Sequence, residues 1–320
     1  MVMSAHRYFA DTNSEPVESA AHGSGSSNSK IEPTTLRSRG SVRFANILFT
    51  TDLSPAAEKA LPFALEFARR YQSTIYASYV GPRNFPAAVP PAAWPKFKKN
   101  EYALLEEGRR LLNEQLQDVR HEVIFETGET WPTLEEIICD RQIDLVVSST
   151  HGRTGAKKAV LGSVAEQIFR HARCPVLTVG PAVFEKPQES AAPSRILYAT
   201  DFSAESLAGA PYAISLAREH RAQLILFHCL KDGGDVHALS QALHDIVPFG
   251  SDLRNEPDCI VERGIPSAKI IEVAEGHSVE MIVLGIHGAD GHLARAAHFG
   301  RSGTYQIVTQ AKCAVLTVRG

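Results

Sequence analysis

The chain has 320 residues, 44% of them hydrophobic and 22% charged, with a net charge of −3. That composition belongs to a globular protein long enough for two domains. It carries no basic excess directed at nucleic acid or an anionic membrane, and no apolar run reaches the length of a membrane span.

The N-terminus has no apolar h-region, so no secretory signal is expected. The five cysteines include no Cys-x-x-Cys pair, which favours reduced thiols in a cytoplasmic protein over a disulfide framework or a zinc site. Among the thirteen histidines, His287, His292 and His298 share a segment and read as loop or surface histidines.

Residues 1–42 are rich in Ser, Gly, Asn and Glu and lack periodicity, which predicts a disordered tail. A strand is predicted over Ala45–Thr51. A helix follows from Ser54-Pro55 to about Tyr71, with Ser54 as N-cap and an apolar face of Ala60, Leu61, Ala64, Leu65 and Ala68. Thr74–Val80 reads as a strand, Gly81–Pro95 as a proline-rich loop, and Asn100–Leu116 as an amphipathic helix. Glu122–Glu126 is a strand, Gly128–Pro132 a turn, and Thr133–Arg141 a helix. The apolar, β-branched run Ile143–Val147 is a buried parallel strand.

Next come Ser149-Thr150-His151-Gly152 and, after nine intervening residues, Gly162-Ser163-Val164 at the start of another helix. Ser163 as N-cap with Glu166 predicts a capping box. A strand, a loop of small residues and a helix N-terminus together suit an anion such as phosphate, because unpaired N–H groups and the helix dipole converge there. The alternative is a plain strand-to-helix turn. Cys174–Val179 closes the unit as a fifth strand, and residues 181–194 read as a linker.

After the linker the pattern restarts. Asn46–Ser54 is repeated by Arg195–Ser203. Asp52 and Asp201, Pro62 and Pro211, and Arg69 and Arg218 are each separated by 149 positions. Cys174–Val179 is echoed by Cys313–Val318, and Met281–Leu284 is the strand before Gly285-Ile286-His287-Gly288. The chain is a tandem duplication: a first domain over 43–180 and a second over 195–320. Strands alternating with helices predict an α/β class, with two tandem doubly wound domains, each holding a five-stranded parallel sheet of Rossmann-like type.

Three motifs stand in order: Thr51-Asp52-Leu53-Ser54 after strand one, the Gly152–Gly162-Ser163 loop after strand four, and Cys174-Pro175-Val176-Leu177 at strand five. With them the chain resembles a tandem member of the universal stress protein family over about residues 44–319. The resemblance implies an adenine nucleotide alpha-hydrolase-like fold that binds ATP or a related adenine nucleotide in some branches, with or without Mg²⁺. Carried onto this sequence, it implies Asp52 beside base and ribose and Val80 at the adenine edge. Ser149, Gly152, Gly162, Ser163 and Val164 would hold ribose and phosphates. Ser149 departs from the family's glycine. Asp52 has the alternative role of an Asx-turn ahead of the Ser54 helix.

The second repeat departs further, since His298 stands where the loop glycine is required. A second, weaker site would use Asp201, Gly285, Gly288, Gly300 and Ser302; the alternative is a fold kept without its ligand. No Gly-x4-Gly-Lys-(Ser/Thr) occurs. A triad of Ser163, His151 and Asp52 has nothing in the sequence to assemble it. The expectation is a nucleotide-binding regulatory protein with no enzymatic step. Its rivals are a nucleotide-independent module for an unknown protein partner and a slow ATPase or autophosphorylating protein. Strand five is short and apolar in both repeats. Its pairing within one chain is expected to give a pseudo-dimer, and two chains could add a homodimer.

Overall fold

The computed structural model describes residues 41–82, 93–150, 161–184, 191–230, 234–287 and 303–320. The first repeat has strands β1 (Asn46–Thr50), β2 (Thr74–Gly81), β3 (Arg120–Thr127), β4 (Leu145–Ser149) and β5 (Val176–Val179). Its helices are α1 (Pro55–Glu58), α2 (Leu61–Tyr71), α3 (Trp94–Leu116), α4 (Thr130–Asp140) and α5 (Ser163–His171). The second repeat has β6 (Arg195–Ala199), β7 (Gln223–Leu230), β8 (Asp258–Arg263), β9 (Met281–Ile286) and β10 (Ala314–Arg319). Its helices are α6 (Ala204–Leu207), α7 (Ala210–His220), α8 (Val236–His244), α9 (Pro266–Gly276) and α10 (Gly303–Gln310).

Prolines account for most differences from the sequence reading. The single helix expected from Ser54 to Tyr71 is two helices. Ser54 caps α1 by accepting from the Ala57 N–H at 3.2 Å, and Pro62 then sits in the first turn of α2. Proline cannot donate to a carbonyl one turn back, so the chain breaks and restarts where that donor is not required. Pro211 does the same between α6 and α7. For the same reason α3 begins at Trp94 with Pro95 in its first turn, and α4 begins at Thr130, ahead of Pro132. The expected loop over Gly81–Pro95 and turn over Gly128–Pro132 are therefore shorter than the sequence indicated.

All ten strands form one sheet in the order β3-β2-β1-β4-β5-β10-β9-β6-β7-β8. Each repeat contributes five parallel strands. β5 and β10 meet antiparallel, with Leu177 opposite Leu316. The Thr178 hydroxyl donates to the Val315 carbonyl at 3.1 Å, and the Thr317 hydroxyl donates to the Val176 carbonyl at 3.3 Å. The palindromic order and the reciprocal pair of threonines describe a local two-fold axis through this seam. It removes strand five of both repeats from the sheet edges, leaving β3 and β8 outermost.

On one face of the sheet a single core runs through both repeats, joining Phe49, Phe67 and Ile75 to Tyr198, Leu216 and Leu226. On the other face Leu48, Leu134, Val146 and Ile168 pack in the first repeat. Leu161, Ala165 and Phe169 of the first repeat pack there with Tyr305, Phe227 and Leu284 of the second. Arg319 adds a polar tie. It donates to the Ala172 carbonyl at 2.6 Å, to the Phe169 carbonyl, and to the His287 carbonyl at 2.9 Å, closing the C-terminus of α5. The stretch expected as linker opens with a 3-10 turn, Pro181–Phe184, and Val183 in that turn is buried in the core.

Candidate functional site

A cavity of about 190 Å³ opens at the carboxyl ends of β1, β2 and β4, between α1, α4 and α5. This is where a doubly wound sheet reverses its strand order and where such sheets hold ligands. Six of the seven residues assigned from the sequence line it: Asp52, Val80, Ser149, Gly162, Ser163 and Val164. The seventh, Gly152, lies outside the described residues, as does His151.

The helix start differs from the expected capping box. Gly162, in extended conformation, is the N-cap, and Ser163 is the first helical residue. The Glu166 N–H donates to the Gly162 carbonyl at 2.8 Å, while the Glu166 carboxylate pairs with Arg170 at 2.6 Å. No side chain caps the helix. Gly162, Ser163, Val164 and Ala165 all line the cavity, so the first-turn amides and the positive end of the helix dipole border it. The Gly162 N–H donates to the Thr150 carbonyl at 2.9 Å, fixing α5 against the end of β4.

Asp52 makes the Asx-turn, its Oδ1 accepting the Ser54 N–H at 3.0 Å. The residue between them, Leu53, has φ 58°, and its N–H donates to Thr51 Oγ1 at 2.9 Å. A bulky residue with positive φ is held only where its surroundings over-determine it. The turn leaves Asp52 on the cavity wall.

The cavity floor contains residues the sequence reading passed over. Thr50 is in register with Ser78 on β2 and with Ser148 on β4. Parallel in-register residues share a face, so three hydroxyl side chains lie side by side under the cavity. The available signal was a hydroxyl at matching positions of three otherwise apolar strands.

The second repeat keeps the turn and lacks this floor. Oδ1 of Asp201 accepts from the Ser203 N–H at 3.0 Å and the Ser203 hydroxyl at 2.6 Å. Partial burial would raise the Asp201 carboxyl, but these hydrogen bonds outweigh it and hold the group below the usual carboxylate range. The residues matching Thr50, Ser78 and Ser148 are Ala199, Phe227 and Leu284, all buried in an apolar cluster.

Gly285, expected to open a phosphate loop, lies within β9. A Cβ on it would stand 2.2 Å from the Glu205 carbonyl oxygen and 2.4 Å from that of Ser206. Gly285 therefore lets α6 press directly onto β9. The Tyr198 hydroxyl donates to the Ser206 carbonyl at 2.7 Å, and the Thr200 and Ser206 hydroxyls share a 2.8 Å hydrogen bond. The first repeat has Ser149, Phe49 and Ala57 at the matching positions, which cannot reproduce these contacts. Gly288, Gly300 and Ser302 lie outside the described residues. Among the described residues no group of three His, Cys, Asp or Glu side chains could hold a metal ion, and no helix is long and apolar enough to cross a membrane.

The sequence profile of the Universal stress protein family matches residues 43–180 and 251–319. A universal stress protein of Methanocaldococcus jannaschii is 30% identical over 142 residues, covering 42% of this chain and 82% of that one. One from Mycobacterium bovis is 29% identical over 188 residues, covering 54% of this chain and 60% of its own length. A crystal structure of a universal stress protein from Archaeoglobus fulgidus superposes with a TM-score of 0.64 at 21% identity, covering 86% of this chain and 98% of that one. That last likeness speaks for the fold.

Proposed function

The chain belongs to the universal stress protein family, and from that premise we propose that its first repeat binds ATP or a related adenine nucleotide. In this reading the protein acts as a stress-response regulator, by binding and without a catalytic step. The observation that carries it is the convergence of Asp52, Val80, Ser149, Gly162, Ser163 and Val164 on one cavity bordered by an uncapped helix N-terminus. The helix end supplies donors for phosphate. Val80, Leu134 and Val164 supply an apolar wall for a base. With no acidic ligand cluster among the described residues, any Mg²⁺ would be held chiefly by the nucleotide's own phosphates.

The second repeat serves as structural partner, its matching floor filled by Phe227 and Leu284. A protein partner that reads the bound state remains part of the proposal, as does cytoplasmic action.

The direct test is calorimetry of the purified protein with ATP, ADP and AMP, together with identification of any small molecule released on denaturation. One adenine-nucleotide site per chain is expected. No binding of any adenine nucleotide by well-folded protein would end this reading.

A further inference from the structure

The cavity floor holds an unexplained group. Ser78 is only 1% exposed, and its Oγ is buried with no hydrogen-bond partner. A buried hydroxyl without a partner is unfavourable, and native folds keep few of them. It persists here in the middle of a parallel sheet, at a position the second repeat fills with Phe227. An apolar residue at Ser78 would therefore be compatible with the fold.

The placement of Ser78 is specific. It is in register with Thr50 on β1, on the face that carries Thr50, Ser148 and Val80, and all four line the cavity. The other hydroxyls in the row are committed elsewhere or flanking. Ser148 Oγ donates to the Ser149 carbonyl at 3.2 Å, and Thr178, next in register, donates across the seam to Val315. Ser78 is the member whose hydroxyl is both buried and without a partner, two residues before Val80 on the same strand and so on the same side.

We infer that Ser78 is a specificity-determining contact of this site, its hydroxyl hydrogen-bonding the polar edge of the bound nucleobase. A hydroxyl both donates and accepts, so it can pair with a ring nitrogen or an exocyclic amine. Inserting the base satisfies a group that the free protein leaves unsatisfied, and discrimination of this kind is strong because a ligand lacking the matching polar atom leaves the hydroxyl buried and unpaired. This inference rests on the nucleotide reading above and adds to it the residue that reads the base.

The test is Ser78→Ala, measured by calorimetry with ATP and by thermal unfolding with and without ATP. The expected result is an ATP Kd raised about five- to tenfold, as for loss of one hydrogen bond. The unfolding temperature of the ligand-free variant should be unchanged or raised, because an orphaned polar atom has been removed. A purely structural serine would do the reverse, lowering that temperature. An unchanged Kd in the variant, alongside normal binding by the wild type, overturns the role of Ser78 and leaves the nucleotide reading intact. So does a weaker Kd accompanied by a fall of several degrees in the ligand-free unfolding temperature. Failure of the wild type itself to bind ATP is the separate outcome that removes both.

Discussion

The two repeats share a fold, a turn and a strand order, yet among the described residues they differ at the carboxyl ends of their strands, where the first repeat opens a cavity with a polar floor and the second has an apolar one. The contrast comes from a few side chains. Thr50, Ser78 and Ser148 are small and polar, whereas Ala199, Phe227 and Leu284 complete an apolar cluster that also takes in Leu161, Ala165 and Phe169 from the first repeat. Ser149 carries a side chain where Gly285 has none, and α6 rests on Gly285. Duplication thus separates two tasks. One copy has a cavity floored by hydroxyls, and the other has apolar side chains at the matching floor positions, packed with residues of both repeats.

That contrast can be broken most severely at the seam. Leu177 is fully buried and lies opposite Leu316. Leu177→Asp places a carboxylate there without a partner and should destabilise the whole chain by about 3–5 kcal/mol. Denaturant unfolding followed in both repeats would read this as one cooperative loss. If the repeats unfold independently and only the first is weakened, the shared sheet is not what joins them.

Next in size is a transplant. Ser78→Phe combined with Ser148→Leu writes the second repeat's floor into the first, and ATP affinity should fall by about 100-fold or more, equivalent to at least about 2.7 kcal/mol. Far-UV circular dichroism should stay native. Undiminished binding by this variant would place the ligand somewhere other than the cavity.

A glycine exchange sharpens the comparison. Gly285→Ala drives a Cβ into the backbone of α6 and should destabilise by about 1–3 kcal/mol. Ser149→Ala, at the matching position of the first repeat, should stay within about 0.5 kcal/mol. Equal effects at the two sites would mean that α1 and α6 approach their strands equally closely.

The smallest effect concerns Tyr71 and His220, which the duplication places at equivalent positions. His220 is buried with neither ring nitrogen hydrogen-bonded, packed on Phe67 and with Nδ1 3.7 Å from Glu66. Burial, reinforced by Arg70 and opposed by Glu219, lowers its pKa from 6.5 to about 4. The unfolded chain therefore takes up a proton below about 6.5 that the folded chain refuses until about 4. Its contribution is fully present above that window and is lost as pH falls through it. His220→Phe should flatten the stability profile between those values and raise stability by about 1 kcal/mol. A profile with the same slope in the variant would assign the titration to another group.

The amino-acid sequence determined the repeat, the alternation of strands and helices, and six of the residues that line the cavity. Each is written in local order: apolar strand periods, caps, and motifs at fixed spacing. Helix boundaries were less legible near Pro62, Pro95 and Pro132, because a proline that ends one helix also suits the first turn of another. The capping box at Ser163 failed because Gly162 takes the cap and the Glu166 carboxylate turns to Arg170. The pairing of strand five with its counterpart was already expected from its short apolar sequence. Only the tertiary structure decided that Ser78 lies beside Thr50 and Ser148 and that Gly285 serves packing. Those facts depend on register between strands far apart in the chain, and on which atoms a neighbouring helix brings to within contact. No local pattern encodes such distances; they are set when the repeats close on each other.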